Sequence, residues 1–284
     1  MLPEATHMGT VYLTVSDLEE SLNYYQQSLG LQVHWMDGDS AGLGAGEADL
    51  LNLKGDPDAV PLQRGHTGLY HYAILVPNRK ELAHVIVNFS QTQTELQGAS
   101  DHEVSEALYL ADPDGNGIEI YCDRPRQLWQ YNGDVLNMGT NRLDIQGILA
   151  ELHGEDPTWA GMAKGTTMGH VHLHVRDTLE AEHFYGDILG FDLIVRYGNQ
   201  ASFMSAGGYH HHLGLNIWAG RGAPPPPENS IGLRWYEIIV PEQADVDVAV
   251  DRLTANDVVV ETRENGVFFR DPSQNGVLLR PAYA

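Results

Sequence analysis

The sequence predicts an α+β fold: four βαβββ modules in two tandem halves, paired into curved mixed β-sheet cups. Three observations carry this reading. Residues 8–35, MGTVYLTVSDLEESLNYYQQSLGLQVHW, line up with residues 168–195, MGHVHLHVRDTLEAEHFYGDILGFDLIV. GLYHYAILVP (68–77) matches GLRWYEIIVP (232–241), and DPDGNGIEIYCDRP (112–125) matches DPSQNGVLLRP (271–281). Within each half the order strand, helix, then about three strands occurs twice, so modules begin near residues 8, 69, 168 and 233. Self-similarity of this kind marks a chain built from copies of one supersecondary unit.

The elements follow in order. TVYLTV alternates, so Val11, Leu13 and Val15 face one side while Thr10, Tyr12 and Thr14 face the other. Asp17 caps a helix, LEESLNYYQQSL, that stops at Gly30. LQVHWM, SAGLGAG and ADLLNLK supply the remaining strands of module one. HYAILVP and the helix RKELAHVIVNF open module two. The domains expected are residues 1–135 for modules one and two, a connector with a short helix (LDIQGILAEL) over 136–164, and 165–284 for modules three and four. The run Pro224–Pro227 reads as a stiff, extended link between modules three and four.

Composition bounds the function. A hydrophobic content of 42% with 19% charged residues is that of a globular chain. No apolar run approaches the ~20 residues of a membrane span, and the first residues lack the basic flank and apolar stretch of a signal peptide. Cys122 is the only cysteine, which excludes an intrachain disulfide and fits a reducing cytoplasm. Acidic residues number 39 against 16 basic ones, giving a net charge of -23. Nucleic acid is excluded as a partner, because its binding depends on Lys and Arg neutralising phosphates. The acids are spread along the chain, as in proteins from salty, halophilic cytoplasm, where self-repulsion is screened.

One helix per module covers one face of its sheet, so the other face must find a partner, and two modules side by side make a cup. Four such units, with HVHLHVRD, FYGDILGF and SEALYLADPDGNGIEIYCDRP, resemble the glyoxalase/bleomycin-resistance/dioxygenase (vicinal-oxygen-chelate) superfamily over nearly the whole chain. YHYAILVP, SEALYLADPDGNGIEIYCDRP and GGYHHHLGLNIWAGR most resemble the bacterial catechol-2,3-dioxygenase group.

The repeat supplies its own control for a metal site. First strands present Thr10, His71, His170 and Trp235 at equivalent positions, and the last strands of modules two and four present Glu119 and Leu278. His71, Glu119 and His170 together are two histidines and one carboxylate, the set that holds iron(II) with open positions for substrate and dioxygen. The same set also suits Mn(II) or Zn(II). Because the three come from modules two and three, those modules are expected to pair, within a chain or by exchange between chains, leaving modules one and four to form a metal-free cup. His172 and His174 share the face of His170 and are expected to line the cup.

The resemblance implies an extradiol dioxygenase, taking a small aromatic diol and O2. It assigns acid–base work to His212, with His210 on the same face, and a hydrogen bond to substrate oxygen to Tyr109. It makes His102 a histidine supporting that tyrosine. Tyr121, two residues beyond Glu119, is expected to support the carboxylate. Two other readings stand beside it: a glyoxalase-type metal-dependent lyase or isomerase, and a metal-free small-molecule-binding resistance protein. The glyoxalase type generally takes four protein ligands, and LGLNIW offers only Asn216 as the fourth. Exposed module edges make a homodimer the expected assembly.

Overall fold

The computed structural model describes residues 1–154 and 158–282. Residues 155–157 of the expected connector, and 283–284, lie outside the described residues. Module one begins with β1 (His7–Val15), where Val11, Leu13 and Val15 are fully buried as their alternation requires. The Asp17 carboxylate accepts the Glu20 N–H and starts α1 (Leu18–Gln27), and Gly30 at φ 66° turns the chain out of it. β2 (Gln32–Asp37), β3 (Ser40–Gly44) and β4 (Asp49–Gly55) complete the module.

Module two repeats the order with β5 (Gly68–Leu75), α2 (Arg79–Thr92, capped by Asn78), β6 (Gly98–Asp101), β7 (Ser105–Ala111) and β8 (Gly117–Asp123). The connector adds a small ribbon, β9 (Tyr131–Asn132) and β10 (Val135–Leu136), and the short helix α3 (Ile145–Leu149) capped by Asp144.

Module three holds β11 (Thr167–His174), α4 (Thr178–Glu182), β12 (Asp192–Tyr197), β13 (Ala201–Ser205) and β14 (Leu213–Asn216). Its helix departs from the expected α pattern: after α4 the chain continues as a π-helix over His183–Leu189. Module four holds β15 (Gly232–Val240), α5 (Gln243–Ala255), β16 (Glu261–Arg263), β17 (Gly266–Arg270) and β18 (Gly276–Pro281).

Among the described residues the strands form two curled eight-stranded mixed sheets, ordered β16-β17-β18-β15-β1-β4-β3-β2 and β12-β13-β14-β11-β5-β8-β7-β6, besides the ribbon. Modules one and four therefore share one sheet, and two and three the other. By packing, the chain divides into two compact units, one of residues 1–14, 59–70 and 169–284, the other of 15–58 and 71–168.

In the first unit β1 lies antiparallel to β15, with Val11 opposite Tyr236, and β15 runs parallel to β18. β11 runs parallel to β14, setting His172 beside Gly214. A Cβ at Gly214 would stand 2.7 Å from the His172 ring, so only glycine lets that imidazole lie flat on its neighbour. In the second unit β5 runs parallel to β8, with Ala73 opposite Glu119, and β7 pairs antiparallel with β8. The cores are the helix-facing sides of these strands, including Tyr72, Ile74, Val171 and Leu173, all fully buried.

Candidate metal centre

His71 lies in the middle of β5 and Glu119 in β8, two strands held in register by their parallel ladder. His71 Nε2 and Glu119 Oε2 stand 3.0 Å apart. Two donors bound to one ion at about 2.1 Å and roughly a right angle would be separated by about 3 Å. His170 lies in β11. One ligand atom from each of His71, Glu119 and His170 lies within 4.8 Å of the others, a group able to hold a metal ion. Their exposures are 6%, 3% and 1%, so bulk water does not compete for these donors. The donor chemistry fits: two imidazoles and a carboxylate suit a divalent transition metal and leave part of its shell to other ligands.

Beside His71, the Tyr109 ring lies 5.6 Å from the imidazole, and Tyr109 is the cross-strand neighbour of Glu119. The Tyr109 hydroxyl meets His102 Nε2 at 2.6 Å, and His102 Nδ1 meets the Gly139 carbonyl at 2.7 Å. A carbonyl only accepts, so His102 Nδ1 carries its proton. In the neutral imidazole Nε2 is then the acceptor, and Tyr109 donates to it. His102 and Tyr109 are thus one linked pair, anchored to the connector. Tyr121, fully buried, packs with Ala73 and Ala107.

On the His170 side, the ring of His211 lies 4.0 Å from His170 and that of His210 6.2 Å away. The His212 ring lies 5.0 Å from Tyr209 and 6.3 Å from Phe191, and its Nδ1 accepts the Ala206 N–H at 3.2 Å. Strand alternation would set His210 and His212 on one side and His211 on the other. The run precedes β14, which begins at Leu213, so alternation does not govern it. His211 was missed for that reason. His172 and His174 form an aromatic wall with Tyr70, whose ring lies 5.1 Å from each, and Trp218 lies 5.0 Å from Tyr70. Asn216 Oδ1 accepts both the Trp218 N–H and His174 Nδ1–H, which fixes the tautomer of His174.

The position of Glu237 in module four shows what the other sheet does instead. Its carboxylate, 4% exposed, accepts the Thr10 N–H, the Tyr12 hydroxyl and Arg280 Nε. Trp235 and Leu278 stand where His71 and Glu119 would, and Glu237 pairs with the partly exposed Arg280 at 3.0 Å.

Comparison with known proteins agrees with this fold. The family model described as Glyoxalase/Bleomycin resistance protein/Dioxygenase superfamily matches residues 7–120 and 167–279. A catechol-2,3-dioxygenase of Bacillus subtilis (strain 168) is 47% identical over 274 residues, covering 95% of each chain. Among solved structures, a Bacillus subtilis subsp. subtilis str. 168 protein provisionally named a dioxygenase superposes with a TM-score of 0.64 at 13% identity, covering 98% of this chain and 86% of that one. Glyoxalase I from Zea mays superposes with a TM-score of 0.60 at 15% identity, covering 98% and 92%. At such identities these two show the fold alone.

Proposed function

This chain belongs to the glyoxalase/bleomycin resistance protein/dioxygenase superfamily, and on that premise we propose that it is an extradiol ring-cleaving dioxygenase. Its substrates in this reading are catechol or a substituted catechol and O2, and its cofactor is Fe(II). One observation carries the reading: two imidazoles and a carboxylate whose donor atoms converge within 4.8 Å, too few to close a metal's shell. The 47% identical relative named as a catechol-2,3-dioxygenase supports it.

His71, Glu119 and His170 would hold the metal. Iron(II) held by these residues would supply Lewis acidity towards a diol and the capacity to activate dioxygen. The chain's own residues do the rest. Burial of the three ligands shields their donor atoms from bulk water. Tyr109, its hydroxyl held by His102 and its ring 5.6 Å from that of His71, orients the substrate oxygen. The His210–His212 run takes a proton from the diol and returns it. The resemblance assigns this to His212, while His211 is the ring beside His170.

Metal analysis of the purified protein, with a catechol-cleavage assay after anaerobic iron loading and admission of air, tests the proposal. His170→Ala should lose both metal and turnover. His212→Ala and His211→Ala should keep the metal, and the one that loses turnover carries the proton. Full metal retention in His170→Ala, or no ring-cleavage colour from the loaded wild type, would overturn the reading.

A further inference from the structure

Each compact unit contains the same buried polar network, built from corresponding residues of the duplication. In the unit of residues 15–58 and 71–168, the Tyr72 hydroxyl donates to Tyr25 (3.0 Å), and Tyr25 donates to Asp112 Oδ2 (2.9 Å). Asn116 Nδ2 donates to the same oxygen (2.9 Å), while Asp112 Oδ1 accepts the N–H groups of Asp114 and Asn116. In the other unit Tyr236 donates to Tyr185 (2.9 Å) and Tyr185 to Asp271 Oδ2 (2.9 Å). Asn275 Nδ2, Ser273 N–H and Asn275 N–H complete it. All four tyrosines are fully buried.

The two networks differ in what their strands carry. Tyr72 is joined to His71 by one rigid peptide in β5. Asn116 stands three residues before Glu119, at the entry to β8. β5 and β8 are ladder partners, with Tyr72 opposite Ile118 and Ala73 opposite Glu119. The network therefore ties a helix, the strand of one ligand and the turn leading to the other. Sliding β5 along β8 would break the Tyr72–Tyr25–Asp112 chain and change the 3.0 Å separation of His71 Nε2 and Glu119 Oε2 together. In the other unit the corresponding positions are Trp235 and Leu278, which offer no ligand atom. That network meets β11 at the His174 carbonyl, 3.5 Å from Asn275 Nδ2 and four residues beyond His170.

We propose that Tyr25, Tyr72 and Asp112 are positioning residues for the His71–Glu119 pair, setting metal affinity through the register of β5 and β8, whereas the duplicate network supports the fold alone. This rests on the reading of His71 and Glu119 as metal ligands. Ligand distances are tolerated within about 0.2 Å, and loss of groups that orient ligands weakens metal binding about 10–100-fold.

The duplicate network is the control. Full-length Tyr25→Phe and Tyr185→Phe proteins, stripped of metal, are titrated anaerobically with Fe(II) against a competing chelator. Urea unfolding of each metal-free protein is measured alongside. Both variants should lower the urea midpoint. Tyr25→Phe should weaken Fe(II) binding about 10-fold or more, and Tyr185→Phe less than about 2-fold. Equal weakening by both, or by neither, overturns the proposal. If Tyr25→Phe does not fold, Tyr72→Phe against Tyr236→Phe makes the same comparison with only the terminal hydroxyl removed. His71→Ala separates the two readings. If it loses Fe(II) while the tyrosine variants match each other, the positioning role alone falls. If it binds Fe(II) as the wild type does, the ligand assignment falls with it.

Discussion

Asp271 offers a direct measure of what a buried carboxylate does to this fold. It is 1% exposed and receives hydrogen bonds from the Tyr185 hydroxyl, Asn275 Nδ2 and the N–H groups of Ser273 and Asn275. Those donors favour the charged form, but burial opposes it and prevails, lifting the pKa from 3.8 to about 6. Between these values the folded chain binds a proton that the unfolded chain releases. The group therefore adds stability that is complete below the unfolded value and is lost as pH rises through about 6. At about 1.4 kcal/mol per unit, the full window is worth about 3 kcal/mol, and the interval from pH 7 down to about 4.5 is worth about 2 kcal/mol.

The perturbation is Asp271→Asn, which keeps the size of the side chain and removes its titration. Urea unfolding of both proteins across this interval gives the difference in stability, in which the other carboxylates cancel. That difference should widen in favour of the wild type by about 2 kcal/mol towards acid. Asp112 is pushed in the same direction, also by burial, and is present in both proteins. A difference that stays constant with pH, or widens towards neutrality, refutes the reasoning.

Two further outcomes follow from charge. Glu106, 1% exposed, holds Arg79 through Nε (2.7 Å) and Nη2 (3.1 Å) and Arg124 at 3.3 Å, while Arg79 Nη1 reaches the Gly147 carbonyl at 2.8 Å. Glu106→Gln should cost about 2 kcal/mol, less than a fully buried pair because both arginine side chains are partly exposed, and should speed amide exchange over 139–152. Exchange and urea midpoint both unchanged would contradict it. With 39 acidic and 16 basic residues, the thermal midpoint should rise as salt is raised from about 0.05 to 1 M, where the screening length falls to about 3 Å. A midpoint indifferent to salt would remove the self-repulsion argument.

Much of the fold was legible because duplication prints the same instructions twice. Asp17, read as a cap from the sequence, starts α1 with its own side chain, and Asp177 and Asn78 do the same for the helices of modules three and two. His71, Glu119 and His170 were singled out by the repeat, which shows the residues standing where a ligand could, taken together with the family resemblance. The π-helix was not readable. Module three matches module one without a gap, yet Glu182 stands where module one has the buried Leu22, and its carboxylate bonds Arg196 and Ser202 on the neighbouring strands. The buried tyrosine networks were equally hidden. Tyr25 and Asp112 are 87 residues apart, and nothing local marks either hydroxyl or carboxylate as a partner.

The pairing of β1 with β15 sets a timetable for biogenesis. Glu237, which accepts the Tyr12 hydroxyl in the folded chain, is made 225 residues later. During synthesis at about 5–20 residues per second that interval lasts tens of seconds. Through it the first strand emerges from the ribosome with one unpaired edge and an apolar side, open to chaperones and to neighbouring nascent chains. The order in which this polypeptide is made is thus nearly the reverse of the order in which its opening segment can be secured.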